Sequence, residues 1–114
     1  EQDPNIHLLP PLGYVENLAL MRRATLVMTD SGGIQEETSY LSIPCLTLRE
    51  NTERPATLSL GTNTLTGSDY AKARRLVSEI LSGQYRRGNP IPGWDGRAAH
   101  RVVRELSSFL EART

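Results

Sequence analysis

The chain has 114 residues, a length that suits one domain built on one core. Its 13 basic and 13 acidic side chains cancel, so the bulk charge points to neither nucleic acid nor an anionic membrane as a partner, although a local phosphate site would not show in that balance. The single cysteine, Cys45, excludes an internal disulfide, no His/Cys cluster has metal-site spacing, and the longest apolar runs, four or five residues, are far too short to span a bilayer. No signal-peptide pattern opens the chain, so a soluble protein of the cytoplasm, with neither metal nor cofactor, is expected. The first residue is Glu1 rather than Met, which fits a piece of a longer protein.

From the N-terminus, the run IHLLPPL (6–12) is apolar and β-rich and is expected to form the first strand. Tyr14, Leu18 and Met21 follow at i, i+4 and i+7, the spacing of one helix face. ATLVMTD (24–30) reads as the second strand. Its TLVM centre is continuous rather than alternating, as a strand buried on both faces of a parallel sheet should be. Residues 33–41 place Ile34, Thr38 and Leu41 on one helix face, and IPCLTLRE (43–50) then repeats the buried-strand pattern with CLTL. Pro55 can open a short helix, with Thr52 or Glu53 near its N-terminus. TNTLTG (62–67) is the fourth strand. Residues 69–82 carry a stripe of Ala73, Leu76, Val77, Ile80 and Leu81, with Ser68 or Asp69 as cap and Gly83 as stop. GQYRRGNPIPGW (83–94) reads as a surface crossover. A last helix is expected from Asp95, a natural N-cap, with Ala99, Val102, Val103, Leu106 and Leu110 on its buried side. Strands alternating with helices across short links predict an α/β fold, a parallel sheet with helices on both faces.

Ligands of such sheets sit beyond the carboxyl ends of the strands. Thr29-Asp30-Ser31-Gly32-Gly33 is one such end, running straight into a helix. The amides of residues 31–34 could hold a phosphate, with the Ser31 hydroxyl as a further donor. A tight turn with Ser31 as an ordinary N-cap accounts for the same residues. Gln35, Glu36 and Glu37 either complement the helix dipole or accept from sugar hydroxyls beside a phosphate. Adjacent helical residues point about 100° apart, which argues against an acid/base pair. Arg49 and Arg54 lie at the next strand end, where a guanidinium could clamp phosphate oxygens. A charged loop with an Arg–Glu pair is the alternative there. His7 and His100 read as exposed or structural, Cys45 as a packing residue and Trp94 as an anchor.

TDSGGIQEE, PCLTLRENTERP, GTNTLTG and WDGRAAHRVV together resemble the C-terminal part of the UDP-N-acetylglucosamine 2-epimerases, and the similarity runs from DPNIHLLPPLGY to the last helix. The resemblance implies that residues 1–114 are part of a Rossmann-like, UDP-binding domain in a two-domain enzyme of the glycosyltransferase-B type. Such enzymes interconvert UDP-GlcNAc and UDP-ManNAc for cell-surface polysaccharide synthesis, by removing and returning the C2 proton with elimination and re-addition of UDP. A related branch hydrolyses the intermediate to free ManNAc. By the same resemblance, Ser31, Gly32 and Gly33 hold the diphosphate and Glu37 accepts from the ribose hydroxyls. The segment 14–17, with Tyr14 and Asn17, borders the uracil, largely through its backbone. The resemblance likewise implies that Arg54 is the catalytic residue expected to stabilise the departing diphosphate. Asn17 departs from the apolar or aromatic residue expected at its position.

The resemblance also implies a homodimeric parent whose catalytic N-terminal domain, with its sugar-directed carboxylates, lies outside these residues. A catalytic histidine motif and the first two strands of the present domain would lie outside them too, so the fragment alone is expected to be inactive. In the family's 3-2-1-4-5-6 order, IHLLPPL would be strand three and ATLVMTD strand four. A rearranged pairing, or strand exchange with another copy, is therefore expected at that edge. The donor-binding half of a UDP-sugar glycosyltransferase and a non-catalytic nucleotide-sugar-binding module are the competing readings. The pairing of SGGIQEE with TERP favours the epimerases.

Overall fold

A computed structural model describes residues 3–114. Three parallel strands, β1 (Val27–Thr29), β2 (Cys45–Thr47) and β3 (Asn63–Leu65), form a sheet in the order β1-β2-β3. Met28 stands opposite Leu46, and Leu46 opposite Thr64. The helices are α1 (Tyr14–Met21), α2 (Gly32–Tyr40), α3 (Pro55–Ser59), α4 (Tyr70–Leu81) and α5 (Ala98–Glu111). The α/β reading and the parallel sheet are as expected.

The central strand β2 is buried on both faces, with Cys45, Leu46 and Thr47 all at 0% exposure. Side chains alternate along it, and the two faces differ in chemistry. Leu46 meets Leu76 and Ile80 of α4, with Leu26, Val77 and Tyr85 packed around them. On the other face Thr47 donates to Asn63 Oδ1, within a hydrogen-bonded cluster that includes Gln35 of α2 and Thr57 of α3. Among the described residues no buried side-chain nitrogen or oxygen lacks a partner. That satisfaction is what makes a polar face tolerable in a domain with so few large buried hydrophobics.

The helix punctuation follows the sequence signals at α3 and α4. Pro55 opens α3. Asp69 caps α4 by accepting from the Lys72 amide at 2.9 Å, and Gly83, at φ +75°, takes the left-handed position just beyond the helix.

The outermost elements depart from expectation. Residues 6–12 form no strand, and Ile6, Leu8 and Leu9 are 58–83% exposed. Pro10 and Pro11 carry no amide hydrogens, so the run could offer a ladder only its first residues. Residues 6–12 do not pair with β1, whose partner among the described residues is β2 alone. A groove of about 430 Å³, lined by Asn17, Met21, Leu26, Met28 and Ile34, borders that strand instead. Met28 is therefore 46% exposed, and β1 lacks the burial on both faces that its continuous apolar pattern predicts. The β3 edge is closed differently: the Arg86 guanidinium donates to the carbonyls of Gly61 and Asn63, and Lys72 Nζ donates to the Leu65 carbonyl at 2.7 Å. Cationic side chains on edge carbonyls block further pairing.

The last helix starts at Ala98, not at Asp95. The Asp95 carboxylate accepts from the Arg97 amide at 2.9 Å and pairs with Arg101, closing the turn ahead of the helix. The buried side expected on α5 is uncovered: Val102, Val103, Leu106 and Leu110 are 55–62% exposed. The molecule is long, 70 × 29 × 24 Å. Of the expected α1 face, Met21 is buried, Leu18 half-buried and Tyr14 exposed.

Candidate functional site

The site begins where β1 runs into α2. The Ser31 amide donates to Thr29 Oγ1 at 3.0 Å, which sets the turn. Ser31 has the extended backbone of an N-cap, φ −86° and ψ 132°, yet its hydroxyl makes no capping hydrogen bond. The hydroxyl and the amides of the first helical turn thus face outward with no side-chain cap between them and a ligand. Gly32 and Gly33 sharpen this. A Cβ built on either would meet nothing within 4 Å, and neither has a positive φ. Neither internal packing nor backbone conformation calls for glycine here, although each glycine costs a helix about 0.5–1 kcal/mol relative to alanine. Bare amides beneath open space leave room for a group to approach the backbone closely, and the dipole of α2 favours negative charge at this end.

Of the two arginines, Arg49 is engaged within its own loop. It donates to Glu53 at 2.9 and 3.2 Å and to Asn51 Oδ1 at 3.1 Å. The hydrogen bond from Arg49 holds the Glu53 carboxyl below its ordinary range. The Arg–Glu loop pair foreseen as an alternative is this one. Arg54 lies differently, at the N-terminus of α3, with its Nε 2.6 Å from Glu36 Oε1 of α2. Both side chains of that pair are 42% exposed. An ion pair this open contributes at most about 1 kcal/mol, so Glu36 keeps the guanidinium beside the first turns of α2 without locking it away from an incoming anion.

A cleft of about 510 Å³ continues along α2, between α1 and the turn at 94–96, lined by Tyr14, Leu18, Glu37, Tyr40 and Trp94. Glu37 and Tyr14 are brought together there. Asn17 is not: it lines the groove beside β1. Trp94 is half-buried against the cleft, so the expected anchor also shapes the candidate site. His100 lies with Arg101 and Arg104 of α5 and with Arg97 just before it, apart from this cleft, and His7 is exposed. Cys45 is fully buried, and burial pushes its thiol pKa up, as befits a packing residue.

Several residues around the site were not foreseen. Gln35 reads as a first-turn polar residue, yet it is fully buried, as are Thr57 and Asn63. The available signal was spacing: Gln35, Thr38 and Ser39 are the buried residues of α2, a polar stripe where an amphipathic helix would carry apolar ones.

A sequence model of the UDP-N-acetylglucosamine 2-epimerase family matches residues 1–107. The UDP-N-acetylglucosamine 2-epimerase of Methanocaldococcus jannaschii is 40% identical over 107 residues, which cover 94% of this chain and 29% of that protein. The Salmonella typhimurium enzyme of the same name is 39% identical over 114 residues, covering 92% and 29%. The crystal structure of the M. jannaschii enzyme in complex with UDP-GlcNAc and UDP superimposes with a TM-score of 0.74 at 42% identity, over 88% of this chain and 27% of that one. A putative UDP-N-acetylglucosamine 2-epimerase of Listeria monocytogenes superimposes at 0.77 and 33% identity, over 96% and 31%. The chain thus spans less than a third of the length of these relatives.

Proposed function

Given that the chain belongs to the UDP-N-acetylglucosamine 2-epimerase family, we propose that it is the UDP-binding part of an enzyme that interconverts UDP-GlcNAc and UDP-ManNAc. The observation that carries this reading is the pair Gly32 and Gly33, placed on a helix N-terminus with open space above both. In it, the amides of the first turn and the Ser31 hydroxyl hold the diphosphate. Glu37 accepts from the ribose hydroxyls, and Tyr14 flanks the base from the opposite wall of the cleft. When the bond from C1 to the diphosphate oxygen breaks, its electron pair passes to that oxygen. Arg54, released from Glu36, meets the charge that develops there. Removal of the C2 proton is assigned to groups contributed by the rest of the enzyme.

The 114-residue chain is therefore expected to bind UDP without turnover. Calorimetry should show one UDP per chain, while incubation with UDP-GlcNAc should yield no UDP-ManNAc. Absence of heat at millimolar UDP would remove the binding reading, and turnover would remove the division of labour. The parent is proposed to be a homodimer. In the isolated chain the open β1 edge is proposed to exchange strands with a second copy, which sedimentation across a concentration series would detect and a persistent monomer would refute.

A further inference from the structure

Two fully buried amides, Gln35 and Asn63, occupy the polar face of the sheet directly beneath the turn at Ser31. Gln35 Nε2 donates to the Ser31 carbonyl at 3.2 Å. Gln35 Oε1 accepts from Thr52 Oγ1 at 2.5 Å and from Asn63 Nδ2 at 3.0 Å. Asn63 Nδ2 also donates to Thr57 Oγ1 at 3.1 Å, while its Oδ1 accepts from Thr47 at 2.5 Å. The two hydroxyls then grip the backbone of Arg54 from both sides. The Arg54 N–H donates to Thr52 Oγ1 at 3.0 Å, and the Arg54 carbonyl accepts from Thr57 Oγ1 at 2.7 Å. Each hydroxyl gives one hydrogen bond and takes one, so the direction of every link is set and neither amide can flip without placing like atoms together.

We propose that Gln35 and Asn63 are positioning residues: through Thr52 and Thr57 they fix the backbone of Arg54, the base from which its side chain reaches, relative to the diphosphate cradle at Ser31. This rests on the nucleotide-binding reading above. An apolar core would hold the helices as well, but it would not specify where the peptide groups around Arg54 sit. Buried networks with every member satisfied give that rigidity, and a binding constellation depends on it.

The test uses the whole chain and UDP as the probe. Thr52 is half-buried, so Thr52→Val removes the bridging hydroxyl at little risk to folding, and Thr52→Ser restores it. The valine variant should bind UDP about tenfold more weakly or worse, on the scale of one hydrogen bond to a charged group, and the serine variant should recover most of the loss. The same valine change in an Arg54→Ala background should have almost no further effect, because its influence passes through Arg54. Asn63→Asp, which keeps the shape but loses both donations, should repeat this pattern. Wild-type affinity in both single variants, or an equal loss with and without Arg54, overturns the proposal by leaving the network a purely structural role. Failure of the unmodified chain to bind UDP overturns the nucleotide-binding reading as well, and is distinguished from the other outcomes by that control.

Discussion

Replacing Gly33 by alanine should move folding and binding in opposite directions. The added methyl meets nothing within 4 Å and the backbone is not in the left-handed region, so the fold should accept it. Alanine also restricts the unfolded chain and suits a helix better, together favouring the folded state by about 0.5–1 kcal/mol. For a chain of this length that corresponds to a melting temperature higher by about 2–4 °C. The same methyl fills the space through which a phosphate would reach the amides. Losing one hydrogen bond to a charged group costs about 1.5–3 kcal/mol, so UDP affinity should fall at least about tenfold. Thermal unfolding followed by circular dichroism and calorimetric titration with UDP, on one preparation, give both numbers. A melting temperature several degrees lower would show that the space above Gly33 is not open. Unchanged affinity in a folded variant would show that these amides do not hold the ligand.

Glu37→Gln should weaken UDP binding by about tenfold, while leaving any binding of inorganic pyrophosphate, which has no ribose, unchanged in the same titrations. Cys45, at 0% exposure with its thiol pKa pushed up by burial, should not react with a disulfide reagent at pH 8 until the chain unfolds; prompt stoichiometric labelling in native buffer would contradict the β2 assignment. The Glu53 carboxyl is held below its unfolded value of 4.5 by the Arg49 hydrogen bond. Its contribution to stability is present above about pH 4.5 and is lost as the pH falls through the lower folded value. Thermal melts of the native chain and of Arg49→Met, taken in acid, should therefore converge, and the difference between them at neutral pH should be small and shrink in salt because the pair is exposed.

Sequence periodicity located the elements whose burial is complete within the chain. Leu46, Leu76 and Ile80 form the apolar face that the runs CLTL and 69–82 imply, and capping chemistry set the start of α4 at Asp69. The same reasoning found apolar stripes on α5 and in residues 6–12 but not what covers them, since a pattern states what must be buried and not by which partner. The strand-to-helix turn at residues 29–33 was legible because a hydroxyl and two glycines mark the end of a strand and the start of a helix. Arg54 was singled out by the resemblance; what the residues alone could not show is that Arg49 pairs with Glu53 inside its own loop while Arg54 pairs with Glu36 of α2. Gln35 and Asn63 escaped notice for a physical reason. Polar residues are assigned to the surface by default, and their burial becomes reasonable only when their partners, 28 residues apart in sequence, are seen in contact.

The central claim, that the β1–α2 turn holds a diphosphate, is tested most directly by the backbone amide spectrum of the labelled chain during titration with UDP. The largest shifts should fall on Gly32, Gly33 and Ile34, with smaller ones at Glu37 and Arg54, saturating together at one UDP per chain. Shifts confined to the arginine-bearing start of α5, or none at millimolar UDP, would contradict it.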